Sequence, residues 1–160
     1  MREMIVDSIR VSLVGYQRVV VLKVKGVERY LLIWVGNPEA GSIALALQEI
    51  AMPRPLTHDL LRSVIEHLGG RVESVIINDL VDNTFYARIV MGTDGRRLEV
   101  DARPSDAIAL ALRVKVPIYA VDSVLDRAGI SPDAEPMTKE EQDKLAVFRN
   151  FVNTLDFNDS

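Results

Sequence analysis

Short runs of β-branched residues, broken by turn residues, fill the first third of the chain. Ile9, Val11 and Leu13 alternate with Arg10 and Ser12 before Gly15 interrupts, and apolar runs at 19–24 and 30–35 flank Lys25-Gly26. A period of two marks a half-buried strand, so two or three antiparallel strands are predicted here. The period changes at Asn37-Pro38-Glu39. Asn37 is a good N-cap, Pro38 is tolerated at the first helical position and Glu39 complements the helix dipole, predicting a helix through Ile43-Ala44-Leu45-Ala46-Leu47 to about Ala51. Pro53 and Pro55 end it. Thr57 then caps a second predicted helix, whose Leu60, Leu61, Val64, Ile65 and Leu68 form one apolar face and which Gly69-Gly70 stops.

A strand over 72–80 follows, then a hairpin of strands 84–91 and 96–102 joined by Gly92-Thr93-Asp94-Gly95, a helix over 105–114 and a short strand over 117–121. This order repeats the first: Ile43-Ala44-Leu45-Ala46-Leu47 matches Ile108-Ala109-Leu110-Ala111-Leu112 at an offset of 65 residues, which also lays strand 19–24 on strand 84–89. The expected fold is α+β. It is a single domain over 1–130, with two pseudo-repeated β-hairpin–helix halves forming a mixed, mainly antiparallel sheet on which the helices pack. By composition 131–138 is a linker. Thr138 and Glu141 make a capping box for a helical extension over 139–160, where Leu145, Phe148, Phe151, Val152 and Leu155 share a face. Such a stripe needs cover from the same chain or a symmetric partner.

With 160 residues, 48% of them apolar, the chain is too rich in core formers for a disordered or fibrous protein. No cysteine is present, which fits a reducing cytoplasm, and nothing resembles a signal peptide or an 18-residue apolar span. A cytoplasmic protein without membrane contact is expected. The net charge of −4 lies entirely in the tail, since residues 1–130 carry 16 cations and 16 anions while 131–160 carry 3 and 7. A neutral body offers no general attraction to a polyanion, so any such binding needs a local cluster.

Complete catalytic signatures such as a P-loop, His-Glu-x-x-His or Gly-x-Ser-x-Gly are absent. The polar residues that stand out gather at three helix entrances. Asp101-Ala102-Arg103-Pro104-Ser105-Asp106 sets two carboxylates and a guanidinium beside free backbone N–H groups, a natural place for a phosphate or a metal-bound anion. Capping by Ser105 and an Arg103–Asp101 pair would explain the same residues structurally. Arg54-Pro55-Leu56-Thr57-His58-Asp59 brings a histidine able to exchange protons near neutrality beside a carboxylate, although a capped helix start would look alike. Asn37-Pro38-Glu39 is the counterpart in the first half, from which Glu39 would face the Asp101–Asp106 cluster. His67, at the far end of its helix, reads as structural. Asp79 and Asp82 are further acidic candidates that a turn would also require.

Three separated motifs, 54–60, Thr84-Phe85-Tyr86-Ala87 and 101–113, resemble the bifunctional nuclease domain family, in order and over about 4–129. The resemblance implies a single α+β domain, commonly a homodimer or larger assembly, and an enzyme cleaving DNA and RNA. It carries over as motif residues Glu39, Arg54, Thr57, His58, Asp59, Asp101, Arg103, Ser105, Asp106 and Arg113. In the role assignment that chemistry suggests for them, Asp101 and Asp106, with Glu39, hold a divalent cation such as Mg²⁺ or Mn²⁺. Arg103 stabilises phosphoryl charge, and His58, oriented by Asp59, transfers a proton. Arg54, Thr57, Ser105 and Arg113 bind substrate, and the neutral body makes nucleic-acid binding weak and salt-sensitive. The alternative is a non-catalytic anion- or nucleotide-binding or regulatory module built on the same helix N-termini.

Overall fold

In the computed structural model, which describes residues 1–11, 17–132 and 147, seven strands form one sheet. Strands β1 (Arg2–Val11), β2 (Arg18–Val24) and β3 (Tyr30–Val35) make an antiparallel meander that feeds helix α1 (Asn37–Leu47). Helix α2 (Thr57–His67) follows. A second meander, β4 (Arg71–Val81), β5 (Thr84–Thr93) and β6 (Arg96–Ala102), feeds α3 (Pro104–Val114), and β7 (Ile118–Ala120) and α4 (Asp122–Ala128) come last. The sheet order is β3-β2-β1-β7-β4-β5-β6, antiparallel throughout except where β7 meets β4. The chain is thus an α+β domain with a mixed, mainly antiparallel sheet. Its two halves flank β7 symmetrically, and each repeat unit is a three-stranded meander with a helix, one strand more than a hairpin.

Two-residue turns join the second meander. Asp82 and Asn83, and likewise Asp94 and Gly95, have positive φ, which suits the right-handed twist of the flanking strands. Gly92 and Thr93 therefore belong to β5, and Asp82 is placed as a turn residue.

The main core lies between the sheet and the helices. Val20, Leu22 and Val24 of β2 face it, and α3 is its centre, with Ala107, Ile108, Ala109, Leu110 and Ala111 all essentially inaccessible. Alanine along this buried stretch of α3 lets α1 and α2 approach closely, and α3 packs on both as well as on β4 and β5. The same five-residue motif in α1 buries Ile43 but leaves Leu47 exposed, since α1 packs chiefly on α3 and β2. On the other sheet face Val19 and Val21 pack with Tyr30, Leu32 and the helical Val147. The rest of the expected linker and helical extension lies outside the described residues, apart from Ser131 and Pro132. Among the described residues no helix is long and apolar enough to cross a membrane.

Several helix ends differ from expectation. The N-caps are Gly36, Leu56 and Arg103, so Asn37 and Thr57 are first helical residues and Ser105 sits within the first turn. Helix α1 stops at Leu47, where Glu49 takes a left-handed conformation and the Glu49 and Ile50 N–H groups donate to the Ala46 and Leu45 carbonyls. Helix α2 ends in the same pattern with Gly69 in that place, as its sequence suggests. Its apolar face is split: Leu61 and Ile65 reach the core, while Leu60, Val64 and Leu68 stay exposed. The cause is His58, which takes the inward-facing line of the helix with Leu61 and Ile65.

Candidate active site

The first turns of α1, α2 and α3 converge on a groove of about 1490 Å³. Its polar wall carries Glu39, Ser42, Thr57, His58, Arg103 and Asp106, and its apolar wall includes Leu45, Leu60, Val64, Ile89 and Val100. The centre is His58, only 6% exposed. Its Nδ1 lies 2.6 Å from Ser42 Oγ and its Nε2 2.9 Å from Asp106 Oδ1. Asp106 Oδ2 accepts from Arg103 Nε at 2.9 Å and Nη2 at 2.8 Å, and the same Nη2 is 3.5 Å from Glu39 Oε2. One bonded chain therefore runs Ser42, His58, Asp106, Arg103, Glu39, across all three helix entrances.

Local sequence explains the placement. Glu39 folds back over the N-cap Gly36, where any Cβ would collide with its carboxylate. Asp106 sits in the first turn of α3, where a negative charge is favoured by the unpaired N–H groups. Burial pushes its carboxyl up, but the hydrogen bonds from His58 and Arg103 outweigh this and hold it below the usual carboxylate range. The bond to Asp106, followed by its charge, raises the Arg103 guanidinium. With Asp106 ionised, Nε2 of His58 carries the hydrogen; in the neutral ring Nδ1 is then left to accept from the Ser42 hydroxyl.

A second network braces the first from behind. The Leu56 N–H donates to Asp59 Oδ2 at 2.9 Å, and Arg113 Nε donates to Asp59 Oδ1 at 2.9 Å. The Leu56 bond, chiefly, lowers the Asp59 carboxyl despite some burial, and Arg113 adds to it. Arg113 also donates to the carbonyls of Ala109 and Ser42, at 2.9 and 3.1 Å, tying α3 to α2 and α1. These contacts correct two expectations. His58 is oriented by Ser42 and Asp106 rather than by Asp59, and Arg113, with its side chain 8% exposed, has its fork committed to the protein.

The remaining residues distribute unevenly. Thr57 is exposed on the groove wall, while Ser105 is buried in α3. Arg54 is exposed in the connection before α2, outside the groove lining. Asp101 lies at the groove rim but pairs in register with Arg88, between Val100 and Ala102, which pair with the buried Ile89 and Ala87. Side chains alternate along a strand, so Asp101 faces the sheet surface opposite the helices. Arg103 pairs with Asp106 and Glu39 instead of Asp101. Among the described residues no group of three or more His, Asp or Glu is placed to hold a metal ion, and Arg103 sits between the two carboxylates that would share one. Glu39, Asp101 and Asp106 therefore do not fit a divalent ion in this arrangement.

Sequence reasoning missed Ser42. The one signal was the repeat itself, because the position equivalent to Ser42 in α3 is Ala107 and a hydroxyl replaces a methyl in an otherwise matching helix.

Comparison with known proteins bears on what this groove serves. Two uncharacterized proteins of Mycobacterium tuberculosis, from strains CDC 1551 and H37Rv, are each 42% identical over 159 residues, or 97% of this chain and 95% of their own. Bifunctional nuclease 1 of Oryza sativa subsp. japonica is 33% identical over 103 residues, 62% of this chain. Bifunctional nuclease 2 of the same rice is 30% identical over 118 residues, 71% of this chain. The chain spans only 31% and 36% of those two plant proteins. The bifunctional nuclease domain matches residues 20–133, a stretch that contains every residue of the Ser42–His58–Asp106–Arg103–Glu39 chain, and the protein belongs to that family.

Proposed function

We propose that the protein hydrolyses phosphodiester bonds of DNA and RNA in the groove between α1, α2 and β6. The observation that carries this reading is the bonded chain from His58 through Asp106 to Arg103, on the wall of a groove in a bifunctional nuclease domain. Arg103, 65% exposed but fixed by two carboxylates, presents donors to a phosphoryl oxygen. His58 moves a proton, and Asp106 holds the ring and stabilises the imidazolium that forms. Leu60, Val64 and Val100 offer apolar contact to a base. Glu39 and Asp106 offset the charge of Arg103, so affinity for a long polyanion is weak and falls with salt. A homodimer or larger assembly acting in the cytoplasm completes the proposal.

The test is cleavage of labelled single- and double-stranded DNA and RNA in Mg²⁺, Mn²⁺ or EDTA, with wild type and Asp106→Ala purified identically. Cleavage that disappears in a folded Asp106→Ala protein is the expected result. Equal behaviour of the two proteins overturns the proposal. The EDTA arm reports separately on a divalent ion, for which the three carboxylates named from sequence are not arranged.

A further inference from the structure

We propose that Ser42 is the nucleophile of this site and that turnover passes through a covalent phosphoseryl intermediate. The proposal rests on the phosphodiesterase reading above and deepens it. Three observations lead to it. The Ser42 hydroxyl is 2.6 Å from a histidine nitrogen that has no other partner among the described residues, while the opposite nitrogen is held by a carboxylate at 2.9 Å. Nucleophile against base, and base against a third orienting group, is the arrangement that activates a serine, here with the two ring nitrogens exchanged relative to the serine-protease order. Both ring nitrogens are occupied, Nδ1 by Ser42 and Nε2 by Asp106, so a proton that leaves the ring passes first to one of these two side chains. Ser42 itself, 8% exposed, lies at the floor of the groove on the same wall as Arg103.

The steps balance without an oxidant or reductant. Ser42 Oγ attacks phosphorus, its proton passes to His58 Nδ1, and the imidazolium is stabilised by Asp106. The phosphorus–oxygen bond to the departing nucleoside breaks, and that oxygen takes the proton from Nδ1 and leaves as an alcohol. Water then attacks the seryl phosphodiester and gives a proton to Nδ1. The Ser42 Oγ–phosphorus bond breaks, Oγ recovers the proton, and a phosphate monoester is released. Arg103 lies beside Asp106, where it meets the charge on the nonbridging oxygens in both halves. The attacking oxygen comes from the protein and so needs no metal-bound water, in keeping with carboxylates that hold an arginine between them.

The test uses the full chain and a fluorophosphonate, which transfers a phosphonyl group to activated serines independently of nucleic acid. Intact mass and peptide mapping are expected to find one phosphonyl group on Ser42 in wild type, and none in Ser42→Ala or His58→Ala at matched fold by circular dichroism. Nucleic-acid cleavage by Ser42→Ala is expected to fall by on the order of 10²-fold or more, and acid quenching of wild type during turnover to trap nucleotide on Ser42. If wild type cleaves nucleic acid while Ser42→Ala cleaves within about threefold of it and Ser42 is never labelled, the nucleophile is overturned and the phosphodiesterase reading stands. If Ser42 is labelled in a His58-dependent way but nucleic acid is untouched, the nucleophile stands and the substrate class is what fails.

Discussion

Asp106 spends one carboxylate oxygen on a buried imidazole and the other on an exposed guanidinium, and this division sets how the site responds to acid. The Asp106 and Asp59 carboxyls lie below their ordinary range in the folded protein, so the unfolded chain binds more protons as pH falls. The stability they contribute is fully present above the ordinary carboxylate range and is lost as pH falls through the folded values. Urea unfolding between pH 7 and pH 2 is expected to show this loss, with a shallower pH dependence in Asp59→Asn. Arg113→Ala removes three hydrogen bonds from a buried fork and is expected to cost about 2–3 kcal/mol in the same assay. Gly36→Ala places a methyl group in the Glu39 carboxylate. Its expected effect is weaker catalysis at nearly unchanged thermal stability, since Glu39 steadies the exposed Arg103 rather than the core.

At the level of elements, helix α1 ends on Glu49 in a conformation that glycine adopts without strain. Glu49→Gly is expected to stabilise the protein by about 1 kcal/mol, read as a higher melting temperature. The same end explains where the sequence was legible. Gly69 announces the stop of α2 because its left-handed conformation suits glycine, whereas a glutamate in that role gives no signal, so the pattern of α1 predicts a helix to Ala51 where the observed one stops at Leu47. Strand and helix order was readable because periods of two and 3.6 are imposed by burial, and the 65-residue repeat foretold the symmetric halves. The site was readable in part. Glu39, His58, Arg103 and Asp106 mark helix starts, where first-turn chemistry concentrates polar residues. Ser42 stands mid-helix beside Ile43 and has no such flag. Asp101 misled because closeness in sequence to Arg103 says nothing about which sheet face a strand residue takes.

At the scale of the molecule, the groove exists only because both halves contribute to it, Ser42 and Glu39 from one, Arg103 and Asp106 from the other, and His58 from the helix between them. Sedimentation equilibrium of the full chain is expected to find a dimer or larger species, and a monomer at every concentration would refute that expectation. Within the sheet the halves never touch each other. Three-residue β7 stands between β1 and β4, pairing with both, and it comes after every other strand in the chain. During synthesis, then, the two meanders are made first and wait, each with an open edge, for a keystone that arrives late. The sheet that holds both walls of the groove together is therefore complete only once Ala120 has been made, 14 residues after Asp106.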